Sequence, residues 1–225
     1  MPDSQLTRIL AIRHGETSWN VDRRIQGHLD VPLNERGQWQ ARRLERAVAD
    51  EGLDALYASD LVRAYETAEA VARGSGRPIV TDTGLRERCF GIFEGQTYRE
   101  IELVFPDESE RWKRRDPDFA PPRGETLAQF YERVVATATR LAHAHLGQSI
   151  ALVAHGGVLD CLYRAAARID LSAPRSWSVG NATLNRLLYT PQGFTLVGWS
   201  DASHLDGPAL DEESDGGIAA EGRRA

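Results

Sequence analysis

Near the amino end, residues 6–12 form a short, largely apolar run rich in branched side chains, and the run stops directly at Arg13-His14-Gly15, as a buried strand entering a loop does. Similar runs occur at Ala55–Ala58, Ile79–Thr81, Ser149–Ala154, 183–189 and 194–199. Helical patterns lie between them, at about 35–51, 61–73, 126–146 and 158–168. This alternation predicts an α/β fold, a mainly parallel sheet with helices on both faces. Pro191-Gln192-Gly193 reads as a hairpin turn between the last two runs, so one strand is expected to be antiparallel.

A chain of 225 residues has room for one substantial core, and a single domain is expected over 1–205. Residues 206–225, rich in Gly, Asp, Glu and Ala, read as a flexible acidic tail. No run approaches the roughly 18 to 20 apolar residues of a membrane span. Met1-Pro2-Asp3-Ser4-Gln5 lacks the basic and apolar regions of a signal peptide, so a cytoplasmic location without a membrane partner is expected. The formal charge of -6 argues against nucleic acid as a partner. Cys89 and Cys161 form no C-x-x-C unit and read as two buried free thiols. No histidine pair has ligand spacing with carboxylates, and neither a metal nor another cofactor is expected.

The chemistry concentrates where strands end. His14 follows the first run and His155 follows Ser149–Ala154, in Val153-Ala154-His155-Gly156-Gly157-Val158. Ligands of open parallel sheets collect beyond the carboxyl ends of the strands, so the two exits can share a pocket despite their separation in sequence. A third exit is Ala58-Ser59-Asp60-Leu61-Val62-Arg63-Ala64, where Ser59 or Asp60 is expected to cap the next helix and set Arg63 in its first turn. Guanidinium forks suit an anion such as a phosphoryl group, which makes Arg13 and Arg63 natural clamps. Clustered arginines disfavour an imidazolium, leaving His14 neutral as a nucleophile, with a hydrogen bond to its second nitrogen fixing the tautomer. His155 is placed to donate to the transferring oxygens, and Glu87, in Leu85-Arg86-Glu87-Arg88, is the candidate proton donor.

A lone His beside an Arg is common on surfaces, so residue chemistry alone leaves this reading open. Four separated motifs carry a resemblance: Arg13-His14-Gly15-Glu16-Thr17 with Trp19-Asn20, Ser59-Asp60-Leu61-Val62-Arg63-Ala64 with Thr67-Ala68, Glu87 with Gly91 and Glu94-Gly95, and Ala154-His155-Gly156-Gly157. In this order, over about 6–205, they resemble the histidine phosphatase superfamily, also called the phosphoglycerate mutase-like family. The resemblance implies an α/β fold without a metal, in which the residue at His14 takes the phosphoryl group. It implies that Arg13, Arg63, His155 and Asn20 hold the phosphoryl oxygens, and that Glu87 is the acid and later the base for water. Asn20, Gln26 and Gly156, which lie in matching motifs, are taken as substrate-binding positions.

Within the family the sequence leans toward hydrolysis. Cofactor-dependent mutases carry a longer insertion after the acid motif, with basic residues that grip a bisphosphate; here the stretch 105–125 is short, and Tyr98 stands where the mutases use a lysine. Gln26-Gly27, Asp30-Val31-Pro32-Leu33, Pro122-Arg123-Gly124-Glu125 and Ser203-His204-Leu205 are similar to the broad-specificity phosphatases. The expected partner is a small phosphorylated substrate. A mutase and a non-catalytic phospho-ligand-binding module remain alternatives. The resemblance also admits a homodimer, although no apolar stripe requires one.

Blander readings exist for individual residues. Asn20 can cap a turn with Trp19 beneath it, and Glu16, Glu87 and Glu94 can each be structural. His28 lies in motif terms near the pocket mouth, while His143 and His145 read as solvated. The basic run from Arg111 to Arg115 reads as pocket rim or a solvated helix face. Trp112, Phe119 and Tyr98 form either an apolar wall for an organic leaving group or plain packing under a loop.

Overall fold

The computed structural model describes residues 5–205. Its strands are β1 (Thr7–Arg13), β2 (Ala55–Ala58), β3 (Ile79–Thr81), β4 (Ser149–Ala154), β5 (Leu184–Thr190) and β6 (Gly193–Asp201), joined in one sheet in the order β3-β2-β4-β1-β5-β6. β1, β2, β3 and β4 pair in parallel, and β5 alone runs against its neighbours β1 and β6. The α/β architecture with one reversed strand is therefore the one the alternation predicts. The Pro191-Gln192 turn closes the β5–β6 hairpin through Gly193, whose φ of 126° only glycine adopts without strain.

The helices are α1 (Ser18–Val21), α2 (Glu35–Ala47), α3 (Val62–Ser75), α4 (Tyr98–Val104), α5 (Pro106–Lys113), α6 (Leu127–His143) and α7 (Gly156–Ala167). Apolar residues run almost without interruption along β1 because both of its faces are covered. Ile9 and Ala11 pack with Phe130, Val134, Leu159 and Leu162 of α6 and α7, while Leu10 and Ile12 pack with Leu44, Ala64, Ala68 and Val71 of α2 and α3. A third apolar cluster, with Ile25, Phe90, Phe93, Ile101, Trp112 and Phe119, lies outside these two layers. No helix among the described residues is long and apolar enough to cross a membrane. The expectation for 206–225 lies outside the described residues.

Helix ends depart from the sequence reading for local reasons. α2 ends at Ala47, capped by Val48, rather than running to Glu51. α7 begins at Gly156 because His155 is its N-cap. Neither Ser59 nor Asp60 caps α3. Leu61 holds that position, Asp30 Oδ1 accepts the Val62 amide at 2.9 Å, and Asp60 instead pairs with Arg86. α4 and α5 went unread although their starts were signalled, by the Thr97–Glu100 capping box and by Pro106 followed by acidic residues. Cys161 is buried as expected, whereas Cys89 is partly exposed.

Candidate active site

Strand register brings the distant motifs together. β1 and β4 pair in parallel as far as Arg13 opposite Ala154, and the His14 amide then donates to the Ala154 carbonyl at 2.9 Å. His14 and His155 thus leave adjacent strands at one level, with ring centroids 5.3 Å apart. β2 joins on the far side of β4 with Ala58 opposite Val153, and the Ser59 amide donates to the Val153 carbonyl at 3.0 Å. Three strand exits therefore converge, as ligand sites in open parallel sheets do.

His14 is 2% exposed. Its Nδ1 lies 2.7 Å from the Gly15 carbonyl oxygen, which can only accept, so Nδ1 carries the proton and the neutral ring keeps its lone pair on Nε2. Burial, more than the Arg63 and Arg13 guanidiniums, holds this imidazole well below its usual pKa of 6.5, and the Gly15 carbonyl opposes the shift. The arginines act in the expected direction, but desolvation is the larger cause. His155 is displaced downward in the same way, first by burial and then by Arg63, His14, Arg13 and His28. Its Nε2 lies 2.8 Å from Ser59 Oγ.

The two arginines are fully buried and tied to backbone. Arg13 donates to the Val179 carbonyl at 2.6 Å, and Arg63 donates to the Gly27 and Leu29 carbonyls at 2.8 and 2.9 Å. Asn181, which sequence reasoning missed, donates to the His14 carbonyl at 3.0 Å and to Asn20 Oδ1 at 3.3 Å. It sits in the loop before β5, and no motif marks it. Asn20 does complete the N-terminal capping box of α1 with Thr17, and it also lines the cavity.

Glu87 is 6% exposed and clamped at both oxygens: Oε1 accepts the Arg88 amide at 2.8 Å and Oε2 the Gly157 amide at 2.9 Å. His28 Nε2 lies 2.8 Å from the Glu87 carbonyl, so this histidine contacts the Glu87 backbone rather than lining the cavity mouth. Glu94 serves the backbone amides of His28 and Phe90, and Glu16 binds Asn34.

His14, Asn20, Gln26, Arg63 and Glu87 share the wall of a cavity of about 620 Å³ with Trp19, Tyr98 and Trp112. Arg13 and His155 sit beside His14 at 0% exposure, and Gly156 opens α7 without joining the wall. Gln26 is 3% exposed, and neither atom of its amide has a hydrogen-bond partner among the described residues. Tyr98 stacks on Trp112 at 4.5 Å, whereas Phe119 is buried within the aromatic cluster. A neutral imidazole, a guanidinium and a fixed carboxylate on one cavity wall, with a second guanidinium and a second histidine buried beside that imidazole, form an arrangement chemically suited to phosphoryl transfer.

The family model of the histidine phosphatase superfamily (branch 1) matches residues 9–202. The chain belongs to the histidine phosphatase superfamily. Among its relatives in the superfamily is the Arabidopsis thaliana phosphoglycerate mutase-like protein 4, 38% identical over 209 residues that span 91% of this chain and 89% of that one. The probable phosphoglycerate mutase GpmB of Cronobacter sakazakii is 34% identical over 216 residues, covering 92% of this chain and 99% of that one. A solved mycobacterial glucosyl-3-phosphoglycerate phosphatase superposes with a TM-score of 0.79 at 28% identity, covering 88% of this chain and all (100%) of that one. Superfamily members that carry mutase and phosphatase names are thus both similar to it.

Proposed function

We propose that the chain is a phosphomonoester hydrolase that acts through a phosphohistidine on a small phosphorylated metabolite in the cytoplasm. The observation that carries this reading is His14, a buried neutral ring with Nδ1 committed to Gly15 and Nε2 left as the nucleophile, on the wall of a cavity it shares with Arg63 and Glu87. In the first half-reaction Nε2 bonds to phosphorus as the ester P–O bond breaks, and Glu87 gives a proton to the leaving oxygen. Arg13, Arg63, Asn20 and His155 hold the phosphoryl oxygens. In the second, Glu87 takes a proton from water as its oxygen bonds to phosphorus, and the P–N bond breaks to release phosphate.

Hydrolysis rather than return transfer is supported by the pairing of the cations in the run from Arg111 to Arg115. Arg111 pairs with Asp116, Lys113 with Glu102, Arg114 with Glu110 and Arg115 with Asp160. Of this run, Trp112 lines the cavity, Arg115 is buried against Asp160, and Arg111 and Arg114 stay exposed on the helix face. The cavity takes further arginines, Arg23, Arg24 and Arg99, from other segments, so it is this stretch alone that offers a bisphosphate primer little to grip it. The Tyr98 and Trp112 wall suits an organic leaving group.

The names of the two relatives favour the second reading, a phosphoglycerate mutase. Incubation with 3-phosphoglycerate, with and without a bisphosphate primer, separates the two. A phosphatase releases inorganic phosphate, and conversion to 2-phosphoglycerate would overturn the hydrolase. The name of the solved phosphatase makes phosphoglycerate derivatives the first substrates to rank by kcat/KM.

A further inference from the structure

Ser59 is fully buried at the exit of β2, and its hydroxyl has two hydrogen-bond partners among the described residues. One is the Leu61 amide, a donor, at 3.3 Å. The other is His155 Nε2 at 2.8 Å. A hydroxyl has one proton to give, and the Leu61 amide cannot receive it. Nε2 is then the acceptor that satisfies the buried O–H. The opposite arrangement, with Nε2–H donating to Oγ, strands the hydroxyl proton in the interior without an acceptor.

We propose that Ser59 sets the tautomer of His155, its O–H donating to Nε2 so that Nδ1 retains the proton and presents it to a phosphoryl oxygen. Nδ1 is itself buried and has no hydrogen-bond partner among the described residues. A buried N–H without an acceptor is costly unless a ligand supplies one. The ring stands 5.3 Å from that of His14, where the phosphoryl group arrives. With burial keeping the ring neutral, it has a single N–H to offer, so which nitrogen holds the proton decides whether His155 can donate at all. Ser59 is a positioning residue that acts through His155, and the inference rests on the phosphatase reading only for the identity of the acceptor.

The test is long-range 1H–15N NMR on full-length protein with 15N-labelled imidazoles, the His155 signals being assigned by their loss in His155→Gln. The expected wild-type ring is neutral and protonated at Nδ1. In Ser59→Ala, which removes one oxygen and leaves the backbone as it is, the ring shifts to Nε2–H or to a mixture. kcat for p-nitrophenyl phosphate falls roughly tenfold with it, the loss of about one hydrogen bond. Ser59→Thr, which restores the hydroxyl, recovers the Nδ1–H signal. An Nε2–H ring in the wild type, or an Nδ1–H ring unchanged in Ser59→Ala, overturns the proposal. An Nδ1–H ring that moves in Ser59→Ala supports it even where no ester is hydrolysed, a result that counts against the phosphatase reading alone.

Discussion

Glu87 and Gly157 are joined by a hydrogen bond that only a residue without a side chain permits. The Gly157 amide in the first turn of α7 donates to Glu87 Oε2 at 2.9 Å, and a Cβ built at 157 collides with the same carboxylate and comes within 3.0 Å of Phe130 Cε1. Gly157→Ala is therefore expected to displace the acid. kcat falls roughly tenfold or more, with about 1–3 kcal/mol of stability lost to overpacking. Steady-state kinetics and urea unfolding of the variant measure the two effects.

Removing the proton while keeping the size of the side chain tests the chemical role of the same carboxyl. One clamping N–H then meets an NH2 group, and the comparison between two leaving groups separates chemistry from the lost clamp. Glu87→Gln is expected to slow phosphoenzyme formation by about 10²- to 10⁴-fold with alkyl phosphates, whose leaving oxygen needs a proton. With p-nitrophenyl phosphate, whose anion leaves unaided, the loss is smaller. Rapid-quench single turnovers with both esters check this, and equal losses would assign Glu87 a structural role.

The depressed histidines make stability depend on pH. In the unfolded chain both rings take up protons near pH 6.5, whereas the folded His14 and His155 do so only well below it, chiefly because they are buried. Their contribution to stability is thus fully present above 6.5 and is lost as pH falls through the folded values, at up to about 1.4 kcal/mol per pH unit for each ring. Urea titrations from about pH 7.5 to about pH 5.5 measure this slope, and it should shrink in His155→Gln. The acid limb of kcat/KM, set by the neutral form of His14, is expected below 6.5.

Away from the cavity, Asp160 on α7 accepts from both Arg115 and Arg164 at 2.9 Å, with all three side chains buried. Asp160→Asn leaves two guanidiniums without their carboxylate and is expected to cost about 3 kcal/mol or more. That is a fall in Tm of roughly 10 °C for a chain of this size, readable by calorimetry. Turnover of the folded protein should change little.

What the sequence reveals and what it hides follow from the range of the interactions. The strands were readable because a β-strand buried on both faces must be a short apolar run, and the six runs agree with β1 to β6 within a residue or two at each end. The meeting of His14 with His155 followed from the rule for parallel sheets, since both residues follow strand ends. Ser59 was visible as a capping candidate and as a motif residue, but its bond to His155 was not, because that partner is 96 positions away across the β2–β4 register. Asn181 and the backbone clamps on Arg13 and Arg63 are long-range bonds from loops and leave no local pattern. The pairing of Arg111, Lys113, Arg114 and Arg115 was hidden likewise, since half of their carboxylate partners come from distant segments.

The most direct measurement is capture of the covalent intermediate. Protein mixed with a 32P-labelled phosphomonoester and quenched within one turnover should carry label that is stable in alkali and labile in acid, as a phosphoramidate is. Peptide mapping should place it on His14, and His14→Ala should fold normally, take no label and release no phosphate. Phosphate release by His14→Ala at the wild-type rate, or label on another residue, would contradict the account.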